Sequence, residues 1–191
     1  MGLLDKLKVE IVLGAAGRCS HGVPQVLICA AEKKARPFPT TFWLICPHLV
    51  RAAGMLESQN GVVSMESEIM KSESDAGDKW VRYNLRHAAL RLALMQGTRK
   101  KFLSRYERRR FDVIRRGGIG GIKDFSRRVK CIHLQLASYL GIGYHPASAW
   151  MRKHIDEWEC AGGFCATGYP GVGDVVPDPD NPGGYKFLPK K

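Results

Sequence analysis

The pattern of hydrophobic and polar positions changes at about residue 46. Before that point, short runs rich in β-branched and aromatic residues alternate with turn-forming stretches, which is typical of β-strands. After it, apolar residues recur at the three- and four-residue spacing of amphipathic helices. The predicted strands cover residues 8–13, 23–30 and 40–46, and the predicted helices cover residues 47–57, 78–114 and 128–155. This pattern predicts an α+β fold, in which a small N-terminal antiparallel or mixed sheet packs on a predominantly helical C-terminal part.

Three segments interrupt this pattern. Residues 14–20 are small and glycine-containing, and they are predicted to form a turn. Residues 57–78 contain six acidic residues and one lysine, and we interpret them as either a mobile acidic linker or a weak helix. Residues 115–125 form a glycine-rich loop, which either links two helices flexibly or lets backbone N–H groups approach a phosphate. Residues 1–156 are thus predicted to form a single domain, followed by a glycine- and proline-rich tail over 157–191.

Composition excludes several classes of protein. The chain has 191 residues, of which 45% are hydrophobic and 25% are charged, so it can bury a core. No apolar run approaches the roughly 20 residues that a membrane-spanning helix needs. The first residues, MGLLDKLKVE, place charges inside any signal core, so a secretory signal is not expected. We therefore expect a cytoplasmic protein that does not interact with a membrane.

Positive charge is concentrated in the second half of the chain. The net charge is +12, yet residues 82–130 hold sixteen lysines and arginines against three acidic residues, which leaves +13. Such a segment indicates an anionic substrate or a nucleic acid, with RNA favoured; a solvated helix face is the alternative. The residues predicted to form this surface are Arg99, Lys100, Lys101, Arg105, Arg108, Arg109 and Arg110.

Three of the six cysteines share a chemical setting, because each is followed two positions later by a histidine. The three pairs are Cys19 with His21, Cys46 with His48, and Cys131 with His133. Each cysteine also lies beside a cation, such as Arg18 or Lys130, or at an expected helix N-terminus, and both features lower the pKa of a thiol. We therefore expect thiolates, which bind zinc or iron–sulfur clusters. The alternative is that these cysteines are small buried hydrophobic residues.

The remaining cysteines carry weaker signals. Cys29 lies within a predicted strand and is expected in the core. Cys160 and Cys165 form a CxxxxC pair in a glycine-rich turn. This pair could wrap a metal, close as a redox disulfide, or be accidental.

Three blocks of the sequence resemble a known family. They are RCSHGVPQV from residue 18, PFPTTFWLICPHLVRAAGMLES from residue 37, and GGIGGIKDFSRRVKCIHLQLASYL from residue 117. They are similar to the bacterial family called domain of unknown function 501, over roughly residues 15–150. The resemblance implies no activity, but it supports a shared site on the three paired cysteines and leaves the CxxxxC pair outside. The positions that it marks are Arg18, Cys19, Gly22, Pro24, Pro37, Pro39, Thr40, Cys46, Pro47, Lys130, Cys131 and His133.

The leading hypothesis is an iron–sulfur protein in which Cys19, Cys46 and Cys131 hold a 4Fe-4S cluster. The three paired histidines, Arg18 and Lys130 would surround the cluster or supply a fourth ligand. An iron with an open coordination position could act on a thiolated nucleotide or RNA, as a lyase or desulfidase. The main alternative is a nucleic-acid-binding protein without enzymatic activity, with a structural zinc on the three cysteines and His133 or His48. A third hypothesis is an interaction protein without a metal.

Overall fold

The structure is a computed structural model that describes most of the chain. The described residues are 11–33, 36–71, 75–95, 105–123, 125–126, 128–161, 174–177 and 185–188. Within them, residues 71, 75–77, 105–107, 174–177 and 185–188 are described by their backbone alone.

A three-stranded antiparallel sheet forms the N-terminal part of the fold. Its strands are β1 (Val12–Arg18), β2 (Pro24–Cys29) and β5 (Phe42–Leu44), in the order β1-β2-β5. Two short strands, β3 (Glu32–Lys33) and β4 (Arg36–Pro37), pair with each other in the connection between β2 and β5. In the central strand, Leu27 pairs with Ala15 on one side and Trp43 on the other. Both edges of β2 are therefore satisfied, and most of its residues are buried.

The described part of the chain contains six α-helices after the sheet. They are α1 (Pro47–Ser58), α2 (Gly61–Lys71), α3 (Asp75–Ala93), α4 (Arg105–Arg115), α5 (Ile132–Ile142) and α6 (Ser148–His154). None of these six is both long and apolar enough to cross a membrane. The small antiparallel sheet followed by helices confirms the α+β prediction.

Local sequence explains where the two helices nearest the sheet begin and end. Pro47 is the first residue of α1, where its fixed φ suits the helix and its missing N–H has no helical partner to lose. Helix α5 ends at Gly143, which adopts a left-handed conformation with φ of 78°. The predicted helix over 47–57 is thus confirmed nearly to the residue.

The core lies between one face of the sheet and the helices. Val26, Phe42 and Leu44 of the sheet are buried together with side chains from five helices. Those helical side chains include Leu49, Met65, Trp80, Leu136 and Met151. Because all five helices contribute to a single cluster, the ends of distant helices are held in fixed positions relative to one another.

The first strand differs from its prediction. Residues 14–18 belong to β1, whereas the sequence predicted a turn there; residues 8–10 lie outside the described part. Ala15 and Ala16 have weak strand preferences, but pairing with Leu27 and Val26 of the central strand decides their conformation. The two glycines absorb the irregularity, because the register shifts between Val12 and Gly14 and Gly17 has a φ of +59°.

Two further segments are more ordered than expected. The acidic stretch 57–78 contains helix α2, whose Met65 and Ile69 are buried, so the structure favours the helix over the mobile linker. In the tail, β6 (Asp174–Pro177) and β7 (Tyr185–Leu188) form an antiparallel hairpin, and β7 lies next to β1. These eight residues form strands within the glycine- and proline-rich tail, because their β-branched and aromatic members favour strands.

Candidate functional site

The first turn of α5 is bound by a carboxylate from the last turn of α1. Glu57 Oε1 accepts hydrogen bonds from the backbone N–H of Ile132, at 2.6 Å, and from that of His133, at 3.2 Å. These N–H groups have no partners within the helix, and the helix dipole favours a negative charge at this end. Glu57 therefore fixes the relative position of α1 and α5.

The same carboxylate oxygen orients a histidine ring. Nδ1 of His133 lies 2.8 Å from Glu57 Oε1. Because a carboxylate only accepts hydrogen bonds, Nδ1 carries the proton in this pair. In the neutral ring, Nε2 is then left as an acceptor, which is the form in which histidine acts as a general base.

Cys131 is the residue before the first turn of α5, where its side chain makes no capping hydrogen bond, and it lies beside the backbone of Leu134. Burial raises the pKa of this thiol above its usual range, although the Leu134 N–H lowers it. The nearby Glu57 charge also raises it, and Lys130 lowers it. Burial likewise raises the pKa of the Cys46 thiol. The expected low pKa of these two thiols was therefore wrong, since loss of hydration outweighs the helix terminus.

A cavity of about 450 Å³ opens in front of these groups, and we call it the Cys131 pocket. Its polar lining residues are Thr40, Glu57, Lys130, Cys131 and His133, and its apolar ones include Pro39, Phe42, Trp43, Leu44 and Leu134. An apolar cavity with a few convergent polar groups is the usual form of a small-molecule site. The sequence blocks PFPTTFW and VKCIH, 90 residues apart, thus build one pocket.

The glycine-rich loop forms part of the wall of this pocket and is packed tightly. A Cβ on Gly120 would lie 2.3 Å from Leu134, and one on Gly118 would lie 2.1 Å from Asn84. Asn84 accepts a hydrogen bond from the N–H of Ile119, and the N–H groups of Gly118 and Gly121 bond within the loop. The glycines therefore serve close packing, and these three N–H groups are not available to cradle a phosphate.

A second group of thiols lies elsewhere in the fold. Cys19, Cys46 and Cys160, together with Glu159, line a small cavity of about 10 Å³; we call these four residues the Cys19 cluster. The side chain of Glu159 accepts a hydrogen bond from the N–H of Ser20, at 3.0 Å from each oxygen. The segment after α6 therefore docks on the first sequence block.

The paired histidines on this side also bind that segment. His21 Nε2 lies 2.9 Å from the carbonyl oxygen of Cys160, and His48 Nε2 lies 2.8 Å from that of Glu157. Arg18 bonds the carbonyl oxygen of Gly22, at 2.7 Å. Arg18, His21 and His48 were predicted to surround the metal site. They do lie near the Cys19 cluster, but their polar atoms bind backbone carbonyl groups.

Cys131 does not join the Cys19 cluster. Cys46 precedes the first residue of α1, whereas Glu57 at the other end of that helix contacts the start of α5. Eleven residues of helix, about 16 Å, separate Cys46 from Glu57. Cys160, and not Cys131, is the third thiol that lines this small cavity, and a shared site on Cys19, Cys46 and Cys131 stays a prediction. Among the described side chains, no group of three or more His, Cys, Asp or Glu is arranged to hold a metal ion.

The predicted basic surface is only partly described. Arg108 and Arg109 are exposed on α4, while Arg110 forms an ion pair with Glu32 at 3.1 Å. Arg105 is described by its backbone alone, and Arg99, Lys100 and Lys101 lie outside the described residues. Arg108 and Arg109 are therefore the members of this set whose exposure is established.

Sequence reasoning missed both carboxylates. Glu57 was interpreted only as the start of an acidic stretch, although it is the single acidic residue of α1 and comes nine residues after the last residue of the CPH motif. Glu159 lies beside Cys160, in a segment that the family resemblance did not cover. Their partners come from other elements, so only the fold identifies their roles.

Comparisons with known proteins agree with the sequence blocks. The family model described as "protein of unknown function (DUF501)" matches residues 15–153. No curated protein and no solved structure matches the chain. The matched range contains every lining residue of the Cys131 pocket but excludes Glu159 and Cys160 of the Cys19 cluster. Because the match covers about three quarters of the chain, the protein belongs to the DUF501 family.

Proposed function

We propose that the Cys131 pocket is the active site of a thiol-dependent enzyme that transfers or hydrolyses an acyl group. The observation that carries this proposal is the 2.8 Å contact between Glu57 and His133, beside a thiol in the same pocket. A nucleophile, a base and a carboxylate that orients the base form the recurring arrangement of such enzymes.

Because the pKa of Cys131 is raised, a chemical role follows for the thiol, for His133 and for Glu57. Because burial keeps the resting thiol protonated, the reaction needs a base to take the proton as Sγ attacks. His133 Nε2 is that base, and the Glu57 carboxylate stabilises the resulting imidazolium through Nδ1. Such base contacts commonly tighten only when a substrate is bound.

The proposed reaction has two balanced steps. In the first, a bond forms between Cys131 Sγ and the acyl carbon, and the bond from that carbon to its leaving group breaks. The thiol proton passes through His133 to the leaving group. In the second, water attacks the thioester, the C–S bond breaks, and a proton from water returns to the sulfur through His133. The products are a carboxylic acid and the free thiol.

The lining of the pocket suggests the class of acyl group. Phe42, Trp43 and Leu134 present apolar surface, which would accept an aliphatic or aromatic acyl chain. Lys130 donates a hydrogen bond to the carbonyl oxygen of Gly120, at 2.6 Å, which holds its ammonium group at the wall of the pocket. A cation there can stabilise the negative charge that develops on the acyl oxygen.

The test is acetylation of the whole chain by p-nitrophenyl acetate, with the modified cysteine identified by mass spectrometry. We expect Cys131 to be acetylated, and His133→Gln or Glu57→Gln to slow acetylation by about a hundredfold. Cys160→Ser is the matched control and should react like the wild type. Melting curves check that each variant is folded. Acetylation of Cys131 no faster than that of the other cysteines, or unaffected by His133→Gln, would overturn the proposal.

A second candidate is a soft-metal centre at the Cys19 cluster. Three free thiols line one cavity there, and sulfur ligands select zinc or iron–sulfur clusters. We therefore propose the 4Fe-4S cluster, or a structural zinc, on Cys19 and Cys46 with Cys160 as the third ligand in place of Cys131. Because the described side chains are not arranged around a metal ion, these thiols would have to close around it as it binds. The fourth position would be taken by Glu159, by His21, or by a ligand from outside the described residues. RNA or a thiolated nucleotide remains its proposed partner, supported by the exposed arginines of α4.

Anaerobic purification followed by iron, zinc and sulfide analysis tests this second candidate. We expect stoichiometric metal in the wild type and in Cys131→Ser, and loss of metal in Cys46→Ser and Cys160→Ser. Iron with equimolar sulfide indicates a cluster, whereas zinc without sulfide indicates a structural site. A wild-type protein without metal, or a loss that requires Cys131, would contradict this placement.

A further inference from the structure

A second cavity, of about 500 Å³, lies beside the Cys131 pocket. It is bounded by α4, the glycine-rich loop and the proline-rich segment before β5. Three cations line it, namely Arg91, Arg116 and Lys123. Among the described residues of its lining the one carboxylate is that of Asp112, which forms an ion pair with Arg115 at 3.3 Å. The cavity therefore has an excess of positive charge.

Arg91 is the unusual member of this group, because it is only 2% exposed. Its guanidinium donates hydrogen bonds to the carbonyl oxygens of Phe38, at 3.0 Å, and Gly117, at 3.3 Å, while its Nε has no partner. No carboxylate among the described residues pairs with it. Burial lowers the pKa of Arg91 to about 10, which still leaves it charged at neutral pH.

A buried charge without a counter-charge destabilises a folded protein unless another group compensates it. Two carbonyl dipoles compensate Arg91 in part. Since Arg91 lines the cavity and is almost fully buried, it lies at the inner end, whereas Arg116 and Lys123 are exposed at the opening. This arrangement attracts an anion at the opening and pairs it with a guanidinium inside.

We propose that this cavity binds the anionic group of a small molecule, a phosphate or a carboxylate. A guanidinium suits both, because its planar set of donors matches two oxygens of either group. The exposed Arg116 and Lys123 add charge without the cost of burial. Water or chloride would satisfy the donors less well than a bidentate oxyanion.

The position of the cavity extends the proposal to the substrate of the Cys131 pocket. Pro39 lines both cavities, and the neighbouring glycines Gly120 and Gly121 line one each. A single molecule could therefore place its anionic end at Arg91 and its acyl carbon at Cys131. This extension rests on the proposed acyl chemistry, whereas anion binding at Arg91 does not.

The first experiment measures anion binding by calorimetry on the whole chain, with inorganic phosphate and succinate as separate probes at matched ionic strength. We expect one saturable site, weakened about tenfold in the double variant Arg116→Gln/Lys123→Gln. Arg108→Gln/Arg109→Gln removes two exposed charges that do not line the cavity, and it should bind like the wild type. Arg91→Lys keeps the charge but loses the two-oxygen geometry, so it should bind more weakly than the wild type.

The two probes identify the anion, because phosphate and succinate differ in charge and shape. No saturable binding of either probe, or equal weakening in the Arg108/Arg109 control, would overturn the proposal. Cys131→Ser should bind the preferred probe normally, so loss of acyl chemistry and loss of anion binding are distinguishable. If the extension holds, acyl compounds that carry the preferred anion should acylate Cys131 faster than neutral acyl compounds do. The double variant Arg116→Gln/Lys123→Gln should abolish this difference in rate.

Discussion

In the Cys131 pocket, the carboxylate of Glu57 is partly buried and binds two backbone N–H groups and an imidazole. In the Cys19 cluster, Glu159 is exposed and binds the N–H of Ser20. The pocket is built from elements that share the main core, whereas the cluster depends on a short segment after α6. Both sites therefore combine a carboxylate with cysteine thiols, but the surrounding fold holds the Cys131 pocket more firmly than the Cys19 cluster.

The Cys131 pocket is formed by elements of the core, whereas the Cys19 cluster is completed by the segment that docks after α6. Trp158 packs edge-on against Tyr139, with ring centroids 5.6 Å apart, and this contact holds the segment near Gln25. Otherwise the segment is held by exposed hydrogen bonds, for which water competes. We therefore expect the Cys131 pocket to be rigid and the Cys19 cluster to adjust when a ligand binds.

Acidification should lower the free energy of unfolding through two histidines in the core behind the Cys131 pocket, and this is the largest effect that we expect. Burial lowers the pKa of His87 to about 4 and that of His145 to about 3. His145 is held neutral because Nε2 binds Gln135 while Nδ1 accepts the N–H of Ala147. Below pH 6.5 these histidines take up protons in the unfolded chain but stay neutral in the folded chain. The free energy of unfolding therefore decreases as the pH falls toward 4. The loss from His87 alone is about 3 kcal/mol.

Urea unfolding between pH 7.5 and 4 measures this loss. His87→Leu is the control, because Nε2 of His87 has no hydrogen-bond partner and the ring packs against Phe42 and Tyr83. This variant should lose about 3 kcal/mol less stability on acidification than the wild type, because only the contribution of His145 remains. An equal acid dependence in the variant and the wild type would show that His87 titrates in the folded state.

Removing each carboxylate in turn sharpens the comparison of the two sites. Glu57→Ala leaves the first N–H groups of α5 and the His133 ring without their partner, and we expect it to lower the free energy of unfolding by about 3 kcal/mol. Glu159→Ala removes an exposed side chain, and its unfolding curve should be close to that of the wild type. Chemical denaturation at pH 7 measures both. A larger effect at Glu159 would mean that the docked segment stabilises the fold more than the Cys131 pocket does.

The smallest expected effect concerns the basic surface. If RNA is the partner, Arg108→Gln/Arg109→Gln should reduce the slope of log binding constant against log salt by about 1 to 2. Titration of a fluorescent single-stranded RNA at several salt concentrations measures this slope. Protection of Cys131 or Cys160 from iodoacetamide by the bound RNA would then show which site faces it. An unchanged, shallow slope would leave these arginines as a solvated helix face.

The sequence by itself determined the features that depend on neighbouring residues. Apolar spacing and the proline after Cys46 place α1, and the glycine after Ile142 ends α5, so both helices could be predicted closely. The change from strand-like to helix-like patterns at residue 46 indicates the α+β class. Family membership also follows from local blocks of residues. Prediction from local propensity failed in β1, where strand pairing determines the conformation. It also failed in α2, where the buried residues lie among acidic ones.

Only the tertiary structure decided which chemical groups meet. The sequence presented Cys19, Cys46 and Cys131 as equivalent, because each has a histidine two positions later. The packing of α1 against α5 places Cys131 near Glu57, at the end of α1 opposite to Cys46. The packing of α3 against Phe38 and Gly117 leaves Arg91 buried with no carboxylate partner among the described residues, a condition that no local pattern indicates. Spacing along a chain sets the contacts within one element, whereas contacts between elements depend on how the whole core closes.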